Sequence, residues 1–558
     1  MNQYDVAIAG LGPSGLTLAH ALARRGVSVL ILEREPEFYG NARAVYTDDE
    51  ALRVFQTAGV ADEIHADMNV DSTVQWVRQD GRPLVQFRTS ERPLWWPVTN
   101  FLYQPYLETK LEELLARYPH VEIRRGREVV DFSQDDQGVT VVHAASTGSG
   151  YGRHENVVDE DSRETLRASY LVGADGGRSI IRTQLGIDMT GKSFPERWLV
   201  VDLAAKDGVD AFRHLPYFDF VCDPDMPVVS CPQPGGHHRF EFELKDGDTK
   251  EEFESDETVH RLVGRYVDMD EVEVKRKLVY TFNAVTADRW REGRILLAGD
   301  AAHMTPQFIG QGMNAGVRDA DNLSWKLHSI LKHGASEAIL DTYETERKPH
   351  AKAMIALSVF NKSLVSVKNP VGAKARDAAM VTAIHTPGLG GWVRRAGMKP
   401  KPRFRKDAYL GMPRGIRGAE GTLPPQPVVR RYDGRPVRLD DALGFGWAVV
   451  GIGVDPRESL ELGPWEQVGA TFATLFARGT RPQGAIGDGR RKAGLVDIED
   501  TNGELAAWLR KHGIRHGSVL VLRPDKYVFG ASKDGALLTR SLQEKLGLQE
   551  AAVVEATI

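Results

Sequence analysis

Residues Tyr4 to Glu33 read YDVAIAGLGPSGLTLAHALARRGVSVLILE, and this stretch decides the fold. Tyr4 to Ala9 alternates as a buried strand. Gly10, Gly12 and Gly15 then stand at G-x-G-x-x-G spacing, Pro13 and Ser14 open a helix, and Leu16, Leu18, Ala19 and Leu22 form its inner side. A second strand, Val27 to Leu32, ends on Glu33, with Arg34 beside it. The glycines would make a tight turn, admit a pyrophosphate and allow close helix packing, and the acid would hold a ribose hydroxyl pair. An acid there fits FAD or NAD, and the motif alone does not choose between them.

The stretch Arg294 to Leu327, RILLAGDAAHMTPQFIGQGMNAGVRDADNLSWKL, supplies the choice. Ile295 to Ala298 is a short buried strand, and Gly299-Asp300 puts an acid at its carboxyl end, where open α/β sheets hold ligands. Pro306, Gly310 and Gly312 form a loop that lets backbone approach a ligand. Leu323, Leu327, Ile330 and Leu331 then mark a helix beginning near Gly312. The free N–H groups and partial positive charge at its amino end would stabilise an anion.

The order GDAAH, Pro306, GQGMN and Asp319-Ala320 closely resembles the second flavin motif of the single-component FAD-dependent aromatic hydroxylases. That resemblance favours FAD over NAD and implies cofactor contacts from Gly299, Asp300, Pro306, Gly310, Gly312, Met313 and Asn314. It extends to Arg43, to Gln104 before a helix with Leu107 and Leu111, and to Asp175-Gly176-Gly177-Arg178-Ser179. In the last motif Ser179 can cap a helix, while Arg182 can pair with phosphate or with the acid. The resemblance covers nearly the whole chain except Ser146 to Glu164.

The family implies an α/β fold with a glutathione-reductase-like, Rossmann-like FAD-binding domain, an antiparallel-sheet substrate domain and a thioredoxin-like C-terminal domain. The expected division is 1-75, 99-193 and 290-368 for FAD, 76-98 and 194-289 for substrate, 369-423 as a helical linker and 424-558 for the last domain. The resemblance also implies NADH or NADPH as a transient co-substrate, which the lack of a second nucleotide fingerprint fits, with O2 as the oxidant and a phenolic aromatic acid as the ring hydroxylated. The implied conversion is 3-(3-hydroxyphenyl)propionate to 3-(2,3-dihydroxyphenyl)propionate. A hydroxylase of another phenol or of an aromatic polyketide would share every cofactor motif. A flavin-dependent halogenase would need a WxWxIP string, and the sequence has Trp95-Trp96-Pro97 instead.

Bulk properties agree. A chain of 558 residues exceeds one core, and 42% hydrophobic with 27% charged residues is ordinary globular composition. A net charge of −6 argues against nucleic acid as a partner. MNQYDVAIAG enters a strand directly and does not read as a signal peptide, and no apolar run suits a membrane span. Cys222 and Cys231 make neither a disulfide framework nor metal-ligand spacing, so no metal and a cytoplasmic location are expected. A homodimer is the expected assembly.

Other expectations concern individual segments. Trp76, Trp95 and Trp96 are candidates for the wall of an aromatic pocket, with plain core packing as the competing role. Ser146 to Glu164, rich in Gly, Ser, Asp and Glu, has nothing to bury and reads as an exposed insertion. In the second domain Arg213, His214, Tyr217, His237 and Arg239 are candidates for holding a phenol or carboxylate. His237 and His238, being adjacent on a strand, point to opposite faces. His303 is a candidate base with loop bracing as the competing role. The basic run Arg394 to Lys406 reads as a solvated interdomain face, and a helix is expected from Trp465 to Phe476.

Overall fold

The apolar residues of Gln3–Ala9 and Val29–Glu33 cannot face water on either side, and they lie as adjacent parallel strands covered on both faces. Val158–Gly173 runs parallel on the other side of the first strand, with Ile295–Leu297 beyond it; Val121–Arg125 extends the opposite edge. The strand order reverses direction around Gln3–Ala9, which opens a crevice at the carboxyl ends of the strands. The computed structural model describes residues 3–38, 40, 43–148, 156–245, 247–480 and 494–548.

The helix Pro13–Ala23 packs against Gln311–His333, and small residues set their approach. A Cβ on Gly316 would meet Ser14 Oγ at 2.1 Å, and one on Gly15 would meet the Gly10 carbonyl oxygen at 2.1 Å. The expected insertion is corrected in part. Residues from Val158 to Glu164 are mostly exposed, as expected, but are ordered as the start of the long strand Val158–Gly173, paired antiparallel with Gly138–Ser146 from Val158↔Ser146. Backbone pairing suffices there, because an exposed hairpin needs no apolar face. Residues 149–155 of that insertion lie outside the described residues.

The second sheet has eight strands in the order His303–Met304, Val272–Ala287, Met189–Ala205, His237–Glu243, Val228–Gln233, Phe218–Val221, Val74–Val77 and Pro83–Phe87. Its pairings are antiparallel apart from the one between Phe218–Val221 and Val74–Val77. Alternation divides its two faces. Leu199, Val201, Phe240 and Phe242 pack under the helix Asp256–Val263, whereas Trp198, Phe218, Phe220 and Val229 turn to the other face with Phe101 and Phe308.

The C-terminal lobe is a seven-stranded sheet with Thr471–Phe476 at its centre, parallel to Leu495–Asp500 on one side and to Ala448–Ile452 on the other, which in turn runs antiparallel to Val519–Leu522. The helix expected from Trp465 to Phe476 is Leu462–Gln467 followed by the strand Thr471–Phe476. Gly469, at φ 66°, ends the helix, and the alternating residues of TFATLF suit a strand. Lys399 also departs from expectation. Far from solvated, it pairs with Asp48 at 3.1 Å and Glu50 at 2.8 Å, neutralising acids at the start of the helix Asp49–Ala58. No helix among the described residues is long and apolar enough to cross a membrane.

Candidate active site

The three glycines of the first loop differ in what surrounds them. Gly10, at φ 104°, sits against the Ala174 carbonyl, and Gly15 against Gly10 itself, so both are fixed by packing. A Cβ on Gly12 would meet nothing within 4 Å. Gly12 is also the N-cap of Pro13–Ala23, supplies no side-chain cap, and is followed by no acid in the first turn. The N–H groups there are therefore open to an anion. Glu33 closes the loop, accepting from the backbone N–H of Leu11 at 2.7 Å and of Glu35 at 2.9 Å. Arg34, next along, approaches Glu35 at 3.5 Å.

The second flavin motif repeats the arrangement. Gln311–His333 starts from Gly310 in the left-handed region, again without a side-chain cap or first-turn acid, and Gly312 faces open space apart from the Thr305 carbonyl at 4.0 Å. A Cβ on Gly310 would strike the Tyr46 ring at 2.8 Å. Asn314 anchors the loop, donating to the Tyr46 and Gly310 carbonyls and accepting from Thr47 Oγ1. Ser358 and Asn361 hold the Pro306 and Phe308 carbonyls from the helix Asp341–Val365. Met313 packs against the core of the first domain.

Two carboxylates face this crevice incompletely satisfied. Asp300 has no hydrogen-bond partner among the described residues, and burial pushes its carboxyl above the ordinary range, opposed by Arg43 and His303. Asp175 holds the N–H groups of Ile180 and Ile181 with Oδ2, while its buried Oδ1 has no partner. Arg182 does not pair with it. It donates to the Gly177 and Ala301 carbonyls instead and thereby ties the two motifs together. Gln104 also works on protein: its Oε1 accepts from the N–H groups of Arg43 and Ala44, which shapes the Arg43 loop. Open N–H clusters, open space beside Gly12 and carboxylate oxygens without partners among the described residues suit a dinucleotide with a polyol chain.

The second sheet roofs this crevice. Along His237–Glu243, the residues His237, Arg239 and Glu241 turn toward the flavin loops and His238 turns away to stack on Phe212 at 5.0 Å. His237 stacks on Tyr103 at 3.8 Å. Arg239 is buried, paired with Asp202 at 2.6 Å, and donates to the Arg43 carbonyl at 2.6 Å. Glu241 accepts from Gln307 of the flavin loop. Arg213 and His214 lie elsewhere, lining a surface hollow with Arg265 and Tyr266, and Tyr217 is exposed, so these three are not brought to the crevice.

The three tryptophans likewise separate. Trp76 stacks on Phe220 at 5.1 Å beside Phe218 and Phe101, within an aromatic cluster facing the flavin loop. Trp96 is buried elsewhere, donating to Gln56 beneath Arg438, and Trp95 is exposed. The residues on this face of the sheet and beside it that sequence reasoning missed are Phe101, Phe218, Phe220, Glu241 and Gln307. The alternation in RFEFEL carried a signal for Glu241, but it reads equally as a solvent-facing edge.

His303 is fully buried, bonded to Asp319 at 2.6 Å and stacked on Trp290 at 5.0 Å, while Arg347 takes the other Asp319 oxygen at 2.9 Å. It braces the turn that follows Asp300 and has no exposed surface. Replacing His303 with alanine should cost about 1–3 kcal/mol of stability, as expected for leaving a buried acceptor short of a partner. Thermal melting would register the loss, and the shape of the turnover pH profile should not change.

Fold and crevice together define a flavoprotein whose second sheet roofs the crevice. The model of the FAD binding domain family matches residues 3–358, and that of the HcaD C-terminal domain matches residues 421–545. The chain is 37% identical over 534 residues to the 3-(3-hydroxy-phenyl)propionate/3-hydroxycinnamic acid hydroxylase 2 of Burkholderia vietnamiensis, covering 94% of this chain and 93% of that protein. It is 33% identical over 532 residues to an Escherichia coli hydroxylase of the same name, covering 94% and 91%. The solved structure of aklavinone-11 hydroxylase with FAD and aklavinone aligns with a TM-score of 0.75 at 25% identity, over 98% of this chain and all of that one. The chain belongs to the FAD-dependent aromatic hydroxylases, in the group of the 3-(3-hydroxyphenyl)propionate hydroxylases.

Proposed function

We propose that this hydroxylase acts on a phenolic aromatic acid, converting 3-(3-hydroxyphenyl)propionate to 3-(2,3-dihydroxyphenyl)propionate with NADH or NADPH as electron donor. The observation that carries the reading is an aromatic cluster and a buried carboxylate on one sheet face, turned to the flavin loop. FAD, when bound, supplies the redox chemistry, taking electrons from the nicotinamide nucleotide and activating O2. The protein's own groups do the rest. The open N–H groups at Gly12 and Gly312 would hold the pyrophosphate and the electron-rich edge of the flavin, Asp300 the ribityl hydroxyls, and Glu33 the ribose. Phe101, Phe218, Phe220 and Trp76 would flank the ring and exclude water.

The proposed division of the chain is 1-75, 99-193 and 290-368 for FAD and 76-98 with 194-289 for substrate, 369-423 joining them to 424-558. A homodimer is the proposed assembly, supported by the exposed apolar Val371, Leu389 and Trp392 on neighbouring helices. A cytoplasmic location completes the proposal, supported by two buried free thiols.

NADH oxidation and oxygen uptake by the FAD-loaded protein test the substrate. Addition of 3-(3-hydroxyphenyl)propionate should stimulate both and yield a product heavier by one oxygen atom. Stimulation by other phenols only would discard the named acid and keep the hydroxylase.

A further inference from the structure

Hydroxylation next to a phenol oxygen is faster when that oxygen gives up its proton, so the site needs a base near the ring. Among the candidates on the flavin-facing side of the second sheet, most are already engaged. Asp202 is bonded to Arg239 and Arg276, Glu243 to Ser366 and Lys368, and His237 stacks on Tyr103 with Nδ1 on the Pro234 carbonyl. Glu241 differs. Its Oε2 accepts from Gln307 Nε2, while Oε1 has no hydrogen-bond partner among the described residues. The side chain is 4% exposed, between Val200 and Val229 on the flanking strands.

We propose that Glu241 is the base of the hydroxylation, its Oε1 receiving the phenol proton while Gln307 fixes the carboxylate against the flavin loop. The inference rests on the phenol hydroxylase reading given above. The phenol O–H bond breaks and a carboxyl O–H bond forms, as the phenol oxygen's electron pair drives the ortho carbon onto the oxygen atom that the enzyme's activity supplies. As the new C–O bond forms, the O–O bond of the activated dioxygen breaks and its electron pair leaves on the other oxygen. The ortho C–H proton passes to that oxygen, which departs as water, the ring regains aromaticity, and the ketone oxygen takes the Glu241 proton back, restoring the carboxylate. Burial pushes the Glu241 carboxyl up to about 7. The groups facing it are Arg239 and Arg276, which favour its ionised form, Asp202, which opposes it, Gln307, and the Cys231 thiol, itself raised by burial and neutral. A base with a value near neutrality keeps proton affinity and is still ionised in working conditions.

The test compares the FAD-loaded parent with Glu241→Gln and Glu241→Asp. In the parent, turnover should fall below an apparent pKa near 7, and the preference for binding 3-(3-hydroxyphenyl)propionate over 3-phenylpropionate, followed by the visible flavin spectrum, should strengthen as pH rises through it. Glu241→Gln should lose roughly 10²–10⁴-fold in hydroxylation, the range for a lost general base. Its acid limb and the pH dependence of binding should disappear. Ring-fluorinated phenols, whose hydroxyls are more acidic, should recover part of the rate, and Glu241→Asp should restore the acid limb. A purely structural Glu241 predicts none of that recovery. If Glu241→Gln hydroxylates with the parent's acid limb, the assignment to Glu241 is overturned and the hydroxylase reading stands. If the parent hydroxylates no phenol, both fall.

Discussion

Gly12→Val should leave the fold of the apoprotein untouched and weaken FAD binding at least about 100-fold. The backbone at Gly12 is extended, at φ −76° and ψ −179°, so any residue can adopt it, and a Cβ there meets nothing within 4 Å. What a branched side chain would fill is the space before the first turn of Pro13–Ala23, where backbone N–H groups await an anion. Losing two charge-assisted hydrogen bonds at about 1.5–3 kcal/mol each supplies the expected factor. Gly15→Ala makes the contrast. Its Cβ would lie 2.1 Å from the Gly10 oxygen, so the apoprotein itself should lose about 1–3 kcal/mol through overpacking. Apoprotein melting and FAD titration by fluorescence separate the two. Parent-like flavin affinity in Gly12→Val would mean that the pyrophosphate does not sit at this loop.

This pair also shows what the sequence could and could not disclose. Spacing alone assigned three roles to Gly10, Gly12 and Gly15, because a strand feeding a helix through that loop has few geometric solutions, and the structure distributes packing and open space among them accordingly. The strand pattern in the second sheet was legible for the same reason: period-two alternation sends His237 and His238 to opposite faces wherever the sheet lies. Which face meets the flavin was not legible. That depends on the long-range contacts of Arg239 with the Arg43 backbone and of Glu241 with Gln307, between segments far apart in the chain. Arg213 and His214 therefore looked as suitable as Arg239 and proved to lie on the surface. Lys399 was misread for a related reason. A basic run carries no mark of the three acids, Asp48, Asp49 and Glu50, that fold against one of its members.

The second large effect concerns a residue with no place in any flavin motif. Arg523→Ala should cost about 3–5 kcal/mol, the range for removing one partner of a buried ion pair. Arg523 bonds Glu346 at 2.7 Å and Asp525 at 2.5 Å with no exposure of its own, and Glu346 also receives Lys326 at 2.8 Å. Burial alone would raise the Glu346 carboxyl, but Arg523 and Lys326 hold it well below the usual carboxylate range. A depressed carboxylate stabilises the folded state above its unfolded value of about 4.3 and loses that contribution as pH falls further. The parent should therefore lose stability more steeply than the variant below about pH 4.3, and the gap in melting temperature should be widest above it. Trp325, which meets Arg523 and Asp525, and Lys326, which meets Glu346, belong to Gln311–His333, whose other end carries the Gly310 and Gly312 turn proposed to hold the flavin. Arg523→Ala should accordingly release FAD more readily than the parent at a temperature where both are folded. A lower melting temperature with unchanged flavin affinity would confine the C-terminal lobe to a stabilising part, because its grip on the helix would then not be transmitted to the cofactor end.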